Sequence, residues 1–254
     1  MAHILSPRKE ANTSWFATSS RLYKNVILVT LTLMLAACGH DIDVQGYRWH
    51  TTSTLANDDA VLDIDLVVNA ANGGVLFLAE TYANDPVPYG SALPFTYTWD
   101  GNSGTIDITG GTCRLPLVLV HNTTGEGKLE VDMSPLRIYH PYLAETYTLD
   151  RMTFHRAPSV AGTVWLFSVA DNGYIYTLAL GDTSGTLRLV RTTSEGDSTY
   201  AAWDIANYSL SDGIATMVIR NVMFNEKYNG YFYMPDDRHL CFFDGESMLP
   251  FVCR

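Results

Sequence analysis

The sequence predicts an all-β protein of antiparallel strands, a barrel or a sandwich, arranged as two tandem units. Three observations carry this expectation. Short runs of alternating or wholly apolar residues recur through most of the chain, broken by Gly, Asn, Asp and Ser clusters at intervals of roughly 8–12 residues. No segment beyond residue 38 sustains the 3.6-residue apolar period of a helix. The strand pattern also begins again after Arg156.

Taken in order, the first half opens with Gly46-Tyr47-Arg48-Trp49. Val61 to Val67 alternates apolar residues with acids, which predicts a strand with Asp63 and Asp65 on one solvated face. Val75 to Leu78 is a short apolar run after the turn signal Asn72-Gly73-Gly74. Phe95 to Trp99 and Thr105 to Ile108 flank Asp100-Gly101-Asn102-Ser103-Gly104, predicting a hairpin with a five-residue loop. Leu115 to Val120 and Lys128 to Val131 add two strands about the 122–127 turn.

In the second half the predicted strands are Trp165 to Val169, Tyr174 to Leu180, Thr186 to Arg191, Thr216 to Arg220, Tyr231 to Met234 and Leu240 to Phe243. Ala201 to Tyr208 is the one stretch that reads as a turn or two of helix. Two alignments support a repeat. Gly46-Tyr47-Arg48-Trp49 sets over Gly162-Thr163-Val164-Trp165, and Tyr97–Ile108 sets over Tyr208–Ile219 with Tyr, Thr and Ile coinciding. The units are expected at 46–157 and 158–254, with the seam at Arg156-Ala157-Pro158-Ser159.

Residues 1–37 read as an export signal. Arg21 and Lys24 form a basic flank, Val26 to Ala37 an apolar core, and Ala36-Ala37 the small residues before a cleavage site. Twelve residues span about 18 Å as a helix, short of a hydrocarbon core of about 30 Å. Residues 1–20 are a longer polar preface than such a signal ordinarily has. They read either as a long basic-side region or as a start placed upstream of a true one near Leu22 or Val26.

Leu35-Ala36-Ala37-Cys38 resembles a bacterial lipobox. The resemblance implies acylation of Cys38 as the new N-terminus, with 38–45 a lipidated tether. Together with Gly-x-x-Trp and the Tyr97–Ile108 hairpin, the chain resembles the lipocalin-like surface lipoproteins of Bacteroidetes. That resemblance implies small antiparallel barrels at the cell envelope, on the outer membrane, with Asp41 and Asp43 similar to acids that direct some such proteins to the outer face. The chain departs from the lipocalin opening by one residue between Gly and Trp, and it lacks the later arginine motif.

Charge narrows the partners. Beyond Cys38 the balance sharpens from −11 to −14, because residues 1–38 hold Arg8, Lys9, Arg21 and Lys24 against Glu10 alone. Such a surface repels phosphate backbones, so no nucleic-acid partner is expected. Cys113, Cys241 and Cys253 remain after Cys38. A Cys241–Cys253 bridge about the Asp244-Gly245 turn is one expected pairing, with Cys113 a competitor.

No catalytic, metal or cofactor motif stands out. Gly101-Asn102-Ser103-Gly104 falls short of a nucleophile elbow, Gly127-Lys128-Leu129 is no phosphate loop, and the histidines are scattered. Asp63 and Asp65 lie at a separation two carboxylates use in glycoside hydrolysis, but alternating acids on a strand ordinarily form its wet face. Aromatics gather in the second half: Tyr174, Tyr176, Tyr200, Trp203, Tyr208, Tyr228, Tyr231 and Tyr233. Tyr174 and Tyr176 share one face, as do Tyr231 and Tyr233. With Phe232 packed inward, Tyr231 and Tyr233 are the expected contact surface. The expectation is a non-enzymatic envelope lipoprotein that binds a glycan, a small apolar ligand or a protein partner. The alternative is an assembly subunit that pairs through β edges.

Overall fold

The computed structural model describes residues 43–55, 60–69, 72–109, 113–121, 127–169 and 173–254. Cys38 and the segment expected to be an export signal lie outside these residues. From Asp43 onward the chain forms one compact unit, built of two closed antiparallel barrels of eight strands each.

The first barrel comprises β1 (Arg48–Thr54), β2 (Ala60–Val68), β3 (Gly73–Tyr82), β4 (Asp85–Trp99), β5 (Ser103–Ile108), β6 (Arg114–His121), β7 (Gly127–Asp132) and β8 (Thr146–Met152). The second comprises β9 (Thr163–Val169), β10 (Tyr174–Leu180), β11 (Ser184–Thr193), β12 (Gly196–Ser211), β13 (Ile214–Asn221), β14 (Lys227–Tyr233), β15 (His239–Phe243) and β16 (Met248–Cys253). Every strand pairs with its neighbours in sequence, and each barrel closes on its first and last strands. This is the up-and-down order of lipocalin-like barrels, and closure removes the unpaired edges an open sheet would carry.

Alternation makes the barrels. In β7, Leu129 and Val131 point inward while Lys128 and Glu130 point out, and Lys128 pairs with Asp150 of β8 at 2.7 Å. Both interiors are filled. Trp49, Leu62, Ile64 and Leu149 are fully buried in the first barrel, and Trp165, Leu187, Phe232, Phe242 and Phe251 in the second.

The repeat holds at the level of topology. Trp49 and Trp165 sit on the first strand of their barrels and are both buried. The aligned hairpins are β4–β5 and β12–β13, the fourth and fifth strands of each barrel, and the aligned pairs Thr98↔Thr105 and Ser209↔Thr216 face each other.

Two expectations are corrected. Ala201 to Tyr208 is not helical but lies within β12, where ladders on both sides fix the strand, and Asn207 at φ +54° sits in a register shift. The β4–β5 loop is three residues, not five. The Asp100 carboxylate accepts from the backbone N–H of Asn102 and Ser103, which pins the tight turn and holds the carboxyl below its ordinary pKa.

The barrels lie side by side and open the same way. At one end the β3–β4 hairpin rests on the β15–β16 turn, where Tyr89 bridges Ser247 and the Gly90 N–H donates to the Glu246 carbonyl. A Cβ at Gly90 would stand 3.1 Å from Met248 Cβ, a tight contact that Met248 would have to give way to by a few tenths of an ångström. At the other end Arg156, from the segment between β8 and β9, donates to the Gly46 carbonyl and pairs with Asp212 in the β12–β13 turn. Between these ties runs an apolar seam: Val67, Val75, Phe77 and Ala79 against Phe154, Ile214, Tyr233, Phe243 and Met248.

Candidate functional site

The residues expected to act at the surface lie largely inside this seam. Phe232 packs into the second barrel and Tyr231 and Tyr233 face out of it, as the strand period requires, but that outer face is covered by the first barrel. Tyr233 is 0 % exposed, its ring 5.0 Å from Phe77. Tyr233 is thus a contact within the molecule, while Tyr231 is half-buried beside Phe243. The Cys241–Cys253 bridge is also corrected: both thiols are free. Cys241 lies opposite Pro250, three residues from Cys253, which is about 10 Å along the strand and on the opposite face. Cys241 turns into the seam, where burial and then the Asp65 charge push its thiol up to about 12. That state is unreactive.

Asp65 is the other surprise. It points out of the first barrel beside Asp63, yet the second barrel buries it. Its Oδ1 accepts from His50 Nδ1 at 2.9 Å, its Oδ2 accepts from the Tyr233 hydroxyl, and Arg48 Nε stands 3.5 Å away. His50 Nε2 lies 3.3 Å from Thr52 Oγ1, giving the order of groups in a hydroxyl–imidazole–carboxylate triad. The hydroxyl proton is directed elsewhere, because Thr52 Oγ1 donates to Asp63 Oδ1 at 2.6 Å. A protonated His50 donates at both nitrogens, and the chain Asp63–Thr52–His50–Asp65–Tyr233 is then a continuous hydrogen-bonded relay.

Burial raises the Tyr233 pKa well above its ordinary value, with the Asp65 charge adding to it. Burial opposes the Arg48 charge, but Asp65 and Tyr233 hold the guanidinium pKa above its usual value. The hydrogen bond to Asp65 outweighs burial and raises the His50 pKa. A raised folded-state pKa makes this bond's stability fully present below about 6.5, His50's unfolded value, and lost as pH rises through the folded value. The melting temperature gap between wild type and His50→Gln is therefore expected to be wider near pH 6 than near pH 9. Thermal melts across that range check it, and a pH-independent gap would refute it.

A cavity of about 430 Å³ follows this seam between Arg48, His50, Asp65, Phe77, Pro88 and Pro250. Its polar lining is largely engaged within the protein: Asp65 with His50 and Tyr233, and Asp63 with Thr52, while Arg48 Nε is ion-paired but not hydrogen-bonded.

The barrel mouths offer more. A cavity of about 420 Å³ opens at the mouth of the first barrel, lined by Ser53, Thr54, Glu80, Tyr82, Arg137, Tyr142 and Tyr147. One wall is the short 3-10 helix Ser134–Ile138 and the segment after it, shaped by Pro135 and Pro141. Glu80 accepts from the Tyr82 hydroxyl at 2.9 Å and also from Tyr142. Burial, then this bond, raises the Tyr142 pKa. Because Tyr142 donates to Glu80, it accepts from His140 Nδ1 at 3.0 Å, and burial lowers the His140 pKa toward the neutral imidazole that suits this arrangement. Arg137 reaches Glu145 at 3.1 Å on the rim.

The second mouth is a smaller cup of about 250 Å³ lined by Val169, Tyr174, Tyr176, Leu189 and Tyr200, with Val87 arriving from β4 of the first barrel. Tyr176 stacks on Phe167 and lies near Trp203, and Tyr174 meets Tyr200 edge-on at 5.4 Å under the Arg191 guanidinium. So the second-half aromatics do gather, but around Tyr174 and Tyr176 rather than Tyr231 and Tyr233. The two-residue period exposes both pairs equally. The distinguishing signal was the uninterrupted apolar run Val75-Leu76-Phe77-Leu78-Ala79, which marks a strand buried on both faces and hence a partner sheet.

Among the described residues no cluster of three or more His, Cys, Asp or Glu is disposed to hold a metal, and no helix is long and apolar enough to cross a membrane. Comparison with protein-family models, curated proteins and solved structures gives no match to this chain.

Proposed function

We propose that this chain is a non-enzymatic binding protein of the bacterial cell envelope, anchored by lipid on Cys38, that holds a glycan at the mouth of its first barrel. The observation that carries the reading is the makeup of that mouth: the rings of Tyr82, Tyr142 and Tyr147 beside Glu80, Arg137, Ser53 and Thr54. Ring faces stack on the apolar faces of sugars, and a fixed carboxylate, guanidinium and hydroxyls read the directional hydroxyls around a sugar ring. Large apolar side chains packed inside both barrels leave less room for a long apolar ligand.

One further feature supports it. The Thr52 hydroxyl, the one nucleophile aligned with an imidazole in the relay, donates its hydrogen bond to Asp63 and not to the imidazole. The alternative, an assembly subunit pairing through free β edges, is disfavoured by barrels that close on themselves.

The test is a glycan array probed with the mature chain, followed by titration of the best ligand against Tyr142→Ala and Glu80→Gln. Each variant is expected to weaken binding about tenfold or more, the scale of one lost aromatic contact or charge-assisted hydrogen bond. Absence of binding to any glycan overturns the proposal.

A further inference from the structure

The β3–β4 hairpin belongs to both mouths. Tyr82, at the end of β3, lines the first-barrel cavity, and Val87, early in β4, lines the second-barrel cup. Tyr82 pairs with Asp85 across the hairpin, so the two lining positions lie on the order of 10 Å apart by strand spacing and rise. The wall between the cavities is therefore one hairpin thick. Its outer surface is aromatic as well. Tyr89 is 52 % exposed, meets Tyr82 edge-on at 6.1 Å, and is held by its hydroxyl donating to Asp85 Oδ2 at 2.9 Å. Gly90 N–H on Glu246 and the Tyr89–Ser247 bridge fix the hairpin to the second barrel, so both cavities keep a set spacing.

Resting on the glycan reading, we propose that the two mouths are subsites of one groove for a linear oligosaccharide, with Tyr89 on the crossing between them. The first subsite has the polar groups that select a sugar. The second, built of Tyr174, Tyr176 and Tyr200, lacks a comparable polar set and offers ring faces, which suits stacking on a further residue of the same chain with little selectivity. A single sugar fills one cavity. A chain of several rings occupies both, and the second contact then forms at the high effective concentration set by the first.

The test uses the sugar that binds best on the array, prepared as a length series from one ring upward, with affinities by titration calorimetry. Affinity for the intact mature chain is expected to rise about tenfold or more with length and then level off. Tyr200 is 63 % exposed, so Tyr200→Ala leaves the melting temperature unchanged. It is expected to cost about tenfold on the longest oligomers and nothing on the shortest, whereas Tyr142→Ala weakens all lengths. Length-independent affinity, or long oligomers indifferent to Tyr200→Ala, overturns the two-subsite proposal while leaving the glycan reading in place. No glycan bound at any length overturns both.

Discussion

Replacing Asp65 with alanine is expected to destabilise the protein by about 3–5 kcal/mol, the cost of removing one member of a buried charged cluster. Asp65 is the acceptor on which the relay converges: His50 and Tyr233 both donate to it, and Arg48 is paired with it. Without it, the fully buried Tyr233 hydroxyl loses its carboxylate acceptor, and Arg48 Nε loses the ion pair that offsets its burial. The neighbouring change Tyr233→Phe keeps the ring against Phe77 and leaves the carboxylate bound to His50. Its cost is therefore smaller, about 1–2 kcal/mol. The double variant is expected to fall short of the summed singles by about 1 kcal/mol or more, because the two share one hydrogen bond. Urea denaturation of the four proteins reads this directly. Additive effects, or an Asp65→Ala cost below about 1 kcal/mol, would show that the carboxylate is only a surface group.

This cluster also marks where the sequence stopped being informative. Strands with one buried face were legible from alternation: β10 was expected at Tyr174 to Leu180 and occupies those residues, and β7 and β13 differ only at their ends. β12 was obscured because Ala201 and Ala202 favour helix, a weak local preference that ladders to β11 and β13 override. β16 was obscured by Pro250, which reads as a break but sits within the strand opposite Cys241. The seam was the hardest part. Asp63 and Asp65 follow the same alternation on the same face, and only a sheet folded from residues far along the chain buries one more than the other. Likewise the barrel mouths combine loops from several hairpins, so that Glu80, Arg137 and Tyr142 share a cavity without sharing a motif.

Cutting the chain at Pro158 is expected to give two fragments that fold poorly alone and associate when co-expressed. Each half closes its own barrel, which argues for autonomy, but each also leaves an apolar face uncovered. On the first fragment that face is Val67, Val75, Phe77 and Ala79; on the second it is Ile214, Tyr233, Phe243 and Met248. Burying one large aromatic removes some 150–250 Å² from water, about 4–6 kcal/mol as an upper figure. With Phe77, Tyr233 and Phe243 all in the seam, the exposed area is comparable in weight to the whole stability of a small domain. The polar relay acts in the same direction, since the first fragment keeps Asp65 and Arg48 without Tyr233. Co-expressed halves, with only one copy tagged, are expected to co-purify and to melt in a single transition. Each half alone is expected to aggregate or to melt at least 10 °C lower, the shift that a loss of a few kcal/mol gives a barrel of this size. Two soluble monomeric fragments, each melting as the intact chain does, would mean that the seam is a weak contact between independent barrels. The fixed spacing on which a two-mouth groove depends would then have to come from the Arg156 and Gly90 ties alone.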